Sequence, residues 1–259
     1  MFFDGRVRMN LHEMTWEEFE SFVKKYGVVV IPVGSTEQHG PHLPLGTDTI
    51  VVSEIARKLA EKIDIVVMPS VAWGYKPQPG SSGGALFPGT CSLDGATLIE
   101  LVRDLLRELI RNKASKIILL DGHYENSLFL NEGVDLGLRD SGCPSDVKVV
   151  IARWFDLVKP EEYENIFSGF KGVGLEHAAN LETALMLELR PELVNINKIR
   201  SDKPERNPPY QVLPPTSNLI PKTGVLTEIG TVSAHQGALI IQIIIERLIN
   251  LIKQEFNSN

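Results

Sequence analysis

Cysteine is scarce in this 259-residue sequence, and its two cysteines form no metal-binding or redox pattern. Cys91 and Cys143 are far apart, and neither belongs to a CxxC pair. The sequence therefore excludes a disulfide framework and a thiolate metal site, and it is typical of a reducing compartment. We expect a cytoplasmic protein.

An excess of positive charge and a long apolar run are also missing. The 26 Lys and Arg residues are outnumbered by 33 Asp and Glu, for a formal net charge of −7. Because the basic residues are scattered, we expect neither nucleic acid nor a membrane as partner. The most apolar stretch, 238–245, contains Gln242 and falls well short of the ~20 residues that span a bilayer. Residues 1–14 lack the apolar core and cleavage site of a signal peptide.

What the sequence does contain is an alternation of short apolar runs and helical patterns. With 43% hydrophobic residues, it can bury a sizeable core in one large domain. Strands are predicted at residues 28–33, 65–68, 116–120 and 147–152, and helices at 15–26, 48–63, 92–112, 126–139, 177–189 and 235–256. This alternation predicts an α/β fold with a mostly parallel β-sheet flanked by helices on both faces. In such folds, ligands bind where loops leave the carboxyl ends of the strands.

Proline is concentrated in one segment of the C-terminal third. Six prolines lie between residues 200 and 221, which excludes regular helix or central strand there. Only a short segment and one helix follow, too little for an independent domain. We therefore predict a single domain, residues 1–259, with a Pro-rich surface arm at about 200–223 that is a candidate subunit contact.

The loop after the first predicted strand carries residue types that bind metals. Glu37, His39, His42 and Asp48 lie within twelve positions of one another. Carboxylates and imidazoles are suitable ligands for Zn²⁺ or Mn²⁺. The alternative is that these side chains only cap the loop and the following helix. This loop alone leaves the two interpretations evenly matched.

A second loop makes the metal interpretation stronger. His123 and Glu125 follow the predicted strand 116–120. Two separate strands thus bring His and carboxylate side chains to the same edge of the sheet, which favours a metal site over structural polar loops.

A third set lies where the chain enters the predicted helix 177–189. His177 follows Glu176 directly, and an imidazole can carry a proton from an activated water to a leaving nitrogen. A capped or core-packed histidine is an equally good interpretation of His177 taken alone. Glu182 is expected on the inward face of this helix, where it can hold a metal ligand in place.

Together these residues resemble the creatininase (creatinine amidohydrolase) family. The resemblance is carried by Glu37 and His39 with Asp48, by the string GHYENS at 122–127, and by the pair at 176–177 with Glu182. It extends over about residues 15–256. It implies a three-layer α/β/α fold, two divalent metal ions per chain (Zn²⁺ or Mn²⁺, or both) and a homohexamer.

The resemblance also implies roles for individual residues. Carried over by position, Glu37, Asp48 and His123 hold one ion, and His39, Asp48 and Glu125 hold the other. The implied reaction is the reversible hydrolysis of the cyclic amide of creatinine to creatine, by a water activated between the ions and with His177 as proton shuttle. Ser81, Tyr124 and Glu176 match substrate-contacting positions, and Glu176 is also placed in the catalytic group.

Four further positions of the implied substrate pocket bear on specificity. Relatives that cleave creatinine have Trp and Asp just before the Glu-His pair, where this chain has Val173 and Gly174. A second pocket tryptophan aligns with Phe155, next to Trp154. Loss of an aromatic wall weakens the grip on a small planar substrate.

Other functions remain open at the level of sequence. A family member can act on another C–N bond, as a formamide deformylase or a peptidase of a modified-peptide pathway, or it can be a metal-binding oligomer without catalysis. Retention of every implied ligand and of His177 disfavours the last. A nucleotide-binding regulator is disfavoured because no GxGxxG or GxxxxGK[ST] string follows a predicted strand.

Overall fold

Four parallel β-strands form the centre of the fold. The computed structural model describes residues 10–25 and 27–256. Within these ranges the strands are β1 (Val28–Val33), β2 (Ile65–Val67), β3 (Lys116–Asp121) and β4 (Lys148–Arg153), in the order β2-β1-β3-β4. Every neighbouring pair is parallel, which confirms the predicted sheet.

Helices lie between the strands along the chain and before and after them. They are α1 (Trp16–Lys24), α2 (Thr47–Ala60), α3 (Pro79–Ser82), α4 (Gly95–Arg111), α5 (Ser127–Asp140), α6 (Pro160–Ile166), α7 (Asn180–Leu189) and α8 (Ala234–Phe256). Short 3-10 turns follow two strands, at Tyr124–Asn126 and Trp154–Leu157, and a third precedes α7 at Val173–Leu175.

Alternate strand residues face two separate apolar cores. Val28 and Val30 pack in one cluster with buried residues of α2, α7 and α8. Val29 and Ile31 pack in the other cluster with residues of α4 and α5. Because successive side chains of a strand point to opposite faces, a strand between two helical layers is apolar throughout. The prediction of helices on both faces is confirmed.

The helix that carries the third set of site residues begins later than predicted. The prediction begins at His177, whereas α7 begins at Asn180. Ala178 has a φ of +53°, in the left-handed region, which a right-handed helix cannot contain. His177 therefore lies in the turn before the helix, not within it.

Other helix bounds differ by similar or smaller amounts. Helix α4 begins at Gly95 rather than 92, because Leu93 is bridged to Tyr75 as extended chain. Helix α1 begins after Thr15, and the predicted last residue of that helix, Tyr26, lies outside the described residues. The sequence pattern does not predict α6.

Helix α8 is the longest helix in the described part of the chain. By length and composition alone it is long and apolar enough to cross a membrane. In the structure, Ile240, Ile244, Leu248 and Ile252 form a buried row, and the helix packs against α7 and α2. Its apolar character is therefore accounted for by the core on that side of the sheet.

The proline-rich segment has irregular backbone with one 3-10 turn, Ser217–Leu219. The carboxylate of Asp202 accepts hydrogen bonds from the backbone N–H groups of Lys222, at 2.8 Å, and Thr223, at 2.9 Å. These bonds tie the two ends of the segment together. Tyr210 and Leu213, near its middle, are exposed.

Candidate active site

The site is assembled where β1 and β3 end side by side. Val33 and Asp121 are register partners at the carboxyl ends of these two central strands. The loop after β1 carries Glu37 and His39 and leads into α2, whose second residue is Asp48; His123 follows β3 by two residues. The parallel sheet thus brings residues from separate parts of the chain to one edge, as the sequence predicts.

Asp48 is at the centre of this group. Its Oδ1 lies 3.1 Å from Nε2 of His39, and its Oδ2 lies 3.1 Å from Nδ1 of His123. Burial alone raises the pKa of this carboxyl, but the charge of the His39 imidazole and hydrogen bonds from both rings hold the pKa well below its usual range. Asp48 is therefore ionised at neutral pH and presents both oxygens to the two rings.

Glu37 is buried beside the same ring. Its Oε1 lies 3.0 Å from Nδ1 of His123, and its Oε2 has no hydrogen-bond partner among the residues that the structure describes. Burial raises the pKa of Glu37 to about 8. A buried polar atom without a partner costs about 1–3 kcal/mol, so its presence here indicates a place for a ligand such as a cation.

Glu182, not Glu125, lies beside His39. Oε2 of Glu182 is 3.6 Å from Nε2 of His39 and accepts a hydrogen bond from the backbone N–H of Ala178 at 2.6 Å. Glu125 lies on the far side of the His123 ring, with Oε2 at 3.3 Å from Nε2, whereas Nδ1 of that ring faces Asp48. The structure therefore does not bring Glu125 together with His39 and Asp48.

The acidic and imidazole ligand atoms form overlapping triads. In each triad the atoms lie within 4.8 Å of one another: Glu37, Asp48 and His123; His39, Asp48 and Glu182; and Glu37, His39 and His177. Asp48 belongs to the first two. Such oxygen and nitrogen donors, without thiolates, suit Zn²⁺ or Mn²⁺, so the residues present fit the pair of ions that the sequence analysis expects.

His177 adjoins the triads and is held in the turn before α7. Its ring centroid lies 4.4 Å from that of His39, and its Nδ1 lies 3.8 Å from Oε1 of Glu37. Burial and the nearby charge of His39 hold the pKa of His177 well below its usual range. The ring is therefore neutral at pH 7 and able to accept a proton.

Most of the predicted substrate residues line one open cleft above the triads. The space in and above it, including the part open to solvent, is about 390 Å³. The predicted residues in its wall are Ser81, Tyr124, Trp154, Phe155, Val173, Glu176 and His177. Because Trp154 and Phe155 both line the cleft, an aromatic side chain is present there whichever of the two aligns with the family position.

Glu176 presents an unused acceptor to this cleft. Its Oε2 accepts a hydrogen bond from the backbone N–H of Leu181 at 3.0 Å, while Oε1 is buried and unpartnered within the described ranges. Burial raises the pKa of Glu176 to about 7. A substrate N–H group would satisfy the free oxygen.

The rim of the cleft consists of Tyr124, Val173 and Gly174, beside the buried ring of Phe155. The Tyr124 ring is 44% exposed and stacks on Phe155 with centroids 6.0 Å apart. A Cβ atom at Gly174 would lie 3.6 Å from the Tyr124 hydroxyl, so there is room for a side chain that this chain lacks. The rim is therefore open on this side.

Ser82, Asp121 and Asn126 are parts of the site that the sequence analysis missed. The Ser82 hydroxyl donates to Glu125 at 2.7 Å, and Ser81 donates to the same carboxylate. Asp121 is fully buried and accepts hydrogen bonds from the His123 backbone N–H and the Asn126 side chain, while burial raises its pKa to about 7. Their place beside predicted residues in the sequence was the only available signal.

Comparisons with known proteins identify the family and the fold. The family model for creatininase, described as creatinine amidohydrolase, matches residues 12–252. The chain is 40% identical to creatinine amidohydrolase from Pseudomonas putida over 94% of this chain and 96% of that one. It is also 35% identical to a mycofactocin precursor peptide peptidase from Mycolicibacterium smegmatis, over 64% of this chain and 59% of the relative.

Solved structures give the same result. A crystal structure of creatinine amidohydrolase matches with a TM-score of 0.93 and 39% identity, over 97% of this chain and 99% of the other. A Zn-Zn form of a creatininase variant matches with a TM-score of 0.92 and 38% identity, over 97% and 99% of the two chains. An Mn form matches with a TM-score of 0.91 and 40% identity, over 96% and 98%. The likeness therefore extends over nearly the whole of both chains.

Proposed function

This chain belongs to the creatininase family, and from that premise we propose that it is a binuclear-metal amidohydrolase that opens the cyclic amide of creatinine to creatine, reversibly. The observation that carries the proposal is the pair of carboxylate and imidazole triads that share Asp48, with His177 beside them. The full-length likeness to the Pseudomonas enzyme supports the choice of substrate.

We assign the ligands by contact. Glu37, Asp48 and His123 would hold one divalent ion, and His39, Asp48 and Glu182 the other. Glu182 takes the place that the sequence analysis gave to Glu125, because only Glu182 lies near His39. When bound, such ions would lower the pKa of a water ligand and would polarise a carbonyl group.

The residues of the chain perform the remaining steps. His177, neutral at pH 7, can accept a proton from the attacking water and deliver it to the ring nitrogen as the C–N bond breaks. The free Oε1 of Glu176 can accept a hydrogen bond from a guanidino N–H group. Ser81 and Tyr124, in the walls of the cleft, would orient the substrate.

A second candidate is hydrolysis of a C–N bond in a larger substrate such as a peptide or a formamide. The open rim favours it, because Gly174 places no side chain against the exposed Tyr124 ring. A larger substrate could extend through that opening. The peptidase relative gives this candidate a precedent within the family.

Metal analysis combined with a substrate panel tests both candidates. We expect elemental analysis to give close to two Zn²⁺ or Mn²⁺ ions per chain, and we expect the protein to interconvert creatinine and creatine. The panel also includes hydantoin, a formamidopyrimidine and a short peptide. Activity only on the last two supports the second candidate, and two ions with no activity on any compound supports a metal-binding protein without catalysis.

Assembly and location are also proposals. By resemblance to the family we propose a cytoplasmic homohexamer, with the 200–223 segment as a candidate contact because Tyr210 and Leu213 are exposed there. Light scattering would measure the mass of the assembly, and fractionation of cells would give its location. A monomer in light scattering contradicts the hexamer.

A further inference from the structure

Gln38 lies between two proposed metal ligands, Glu37 and His39, but has no role in the chemistry described so far. Its side chain is buried. The amide nitrogen Nε2 donates to the backbone oxygen of Ser82 at 3.1 Å and to that of Gly224 at 2.9 Å. The amide oxygen Oε1 accepts a hydrogen bond from the backbone N–H of Gly40 at 2.9 Å.

These contacts determine which end of the amide is nitrogen. In the reverse orientation, the amide oxygen of Gln38 would face the carbonyl oxygens of Ser82 and Gly224. Its NH₂ group would face the N–H of Gly40. Two contacts would then place acceptor against acceptor, and the third would place donor against donor. Only the orientation given above therefore satisfies the buried groups.

The side-chain amide and the backbone oxygen of Gln38 together determine where the proton of His177 lies. Nε2 of His177 lies 2.9 Å from the amide nitrogen of Gln38 and 2.8 Å from the backbone oxygen of the same residue. The NH₂ group has two hydrogens, and the carbonyls of Ser82 and Gly224 accept both. The ring nitrogen cannot accept a third, so Nε2 carries its own hydrogen and donates it to the backbone oxygen of Gln38.

We infer that Gln38 is a positioning residue that fixes His177 as the Nε2–H tautomer, so that Nδ1, the atom that faces Glu37, is the ring nitrogen with a free lone pair. The tautomer follows from the contacts alone. That Nδ1 exchanges a proton with substrate rests on the proposed function.

Two glycines make room for this amide. Gly83 has φ +68° and Gly224 has φ +75°, a conformation that side chains rarely adopt. A Cβ atom at Gly83 would lie 2.4 Å from the amide nitrogen of Gln38, and one at Gly224 would lie 1.9 Å from the amide oxygen. Gln38 therefore also ties the segment with Ser81 and Ser82 to the turn that holds His177.

Nuclear magnetic resonance of the native protein tests the tautomer directly. The Zn-loaded protein is labelled with ¹⁵N-histidine, and the signals of His177 are identified by their loss in His177→Ala. We expect a protonated Nε2 and an unprotonated Nδ1 in the long-range ¹H–¹⁵N spectrum. The opposite pattern would overturn the inference. This measurement uses no substrate, so its result does not depend on the proposed reaction.

A pair of variants tests the positioning role. Gln38→Met removes the amide but keeps the length of the side chain, and Gln242→Met removes an exposed amide of α8 as a control. In Gln38→Met we expect kcat to fall roughly 10–100-fold, as for loss of a group that orients a catalytic residue, with little change in KM. The backbone oxygen that accepts from Nε2 of His177 is kept in this variant, so we expect Nε2 to stay protonated while the His177 signals shift and broaden as the packing of the ring loosens.

A purely structural role of Gln38 would give a different result. Gln38→Met would then lower thermal stability but leave the His177 signals and kcat as in the control, which would overturn the inference. If Gln38→Met does not fold, the spectrum of the unmodified protein still decides the question of the tautomer.

Discussion

The floor of the cleft and its rim are built under different constraints. The floor is supplied by the loops after β1 and β3 and by helices α2 and α7. It consists of Glu37, His39, Asp48, His123 and Glu182, and the first four are at most 4% exposed. The rim is supplied by short 3-10 turns, and it includes a 44% exposed tyrosine. The floor is therefore enclosed by packing, whereas the rim is partly open to solvent. In the proposed function, the floor carries the chemistry and the rim selects the substrate.

The strongest test of the floor is removal of its shared carboxylate. Asp48→Ala deletes the oxygens that face both His39 and His123, so we expect both ions to be lost together and activity to fall by more than about 10²-fold, beyond the effect of removing an outer hydrogen-bond partner. Elemental analysis and an activity assay measure this. Asp104→Ala, an exposed residue of α4, is the control. Retention of one full ion per chain would show that the two triads are independent.

Removal of His177 separates binding of metal from turnover. His177→Ala leaves both Asp48 triads intact, so we expect the ions to remain while kcat falls roughly 10²-fold or more, as for loss of a general acid or base. The exposed His235→Ala variant is the control. Loss of the ions in His177→Ala would instead place His177 among the metal ligands, in the triad with Glu37 and His39.

The buried carboxyl of Glu176, in the wall of the cleft, makes the stability of the protein depend on pH. Burial raises the pKa of Glu176 from 4.5 to about 7, so its contribution to stability is fully present below pH 4.5 and is lost as the pH rises to about 7. We expect Glu176→Gln to have a higher free energy of unfolding than the unmodified protein at pH 7.5. This gain should be about 2–3 kcal/mol larger than the gain at pH 4.5. Urea unfolding at the two values of pH measures this, with the exposed Glu164→Gln as control. If the two proteins differ in free energy of unfolding by the same amount at both values of pH, burial does not raise the pKa of Glu176 in the folded protein.

The smallest expected effect is that of a substitution at the rim. Gly174→Asp places a carboxylate within reach of the Tyr124 hydroxyl and narrows the opening. We expect kcat/KM for creatinine to rise about tenfold, equivalent to about 1.4 kcal/mol, and activity on a larger substrate to fall. Steady-state kinetics on both substrates measure this, with Gly230→Ala as control. If both activities change equally, the rim does not select the substrate.

The sequence was sufficient for the sheet because buried parallel strands have a strong local signal. The runs around Val30 and Ile118 are apolar without alternation, as strands covered on both faces must be. Once the sheet was predicted, the meeting of Glu37, Asp48 and His123 followed from the common edge. That part of the site is a consequence of topology and did not require knowledge of side-chain positions.

The other features of the site depend on three-dimensional geometry, which no local sequence pattern indicates. In the structure Glu182 lies beside His39, and Glu125 lies on the Nε2 side of the His123 ring, away from the nitrogen that faces Asp48. Spacing in the sequence specifies neither position. The late start of α7 depends on the left-handed backbone of Ala178, a residue with a high helix propensity. Gln38 is adjacent in sequence to two predicted ligands, but its proposed role depends on contacts with the carbonyl groups of residues 82 and 224, which are far away in the sequence.

The unpartnered oxygen of Glu37 offers a place for a cation, and binding of a cation there would stabilise the fold of the whole chain. Because a cation that binds the folded cluster and not the unfolded chain stabilises the fold by RT ln(1 + [L]/Kd), a free concentration one hundred times Kd contributes about 2.7 kcal/mol. The melting temperature should therefore report the free metal concentration around the protein. In a cell short of these metals, abundance as well as catalysis would decline.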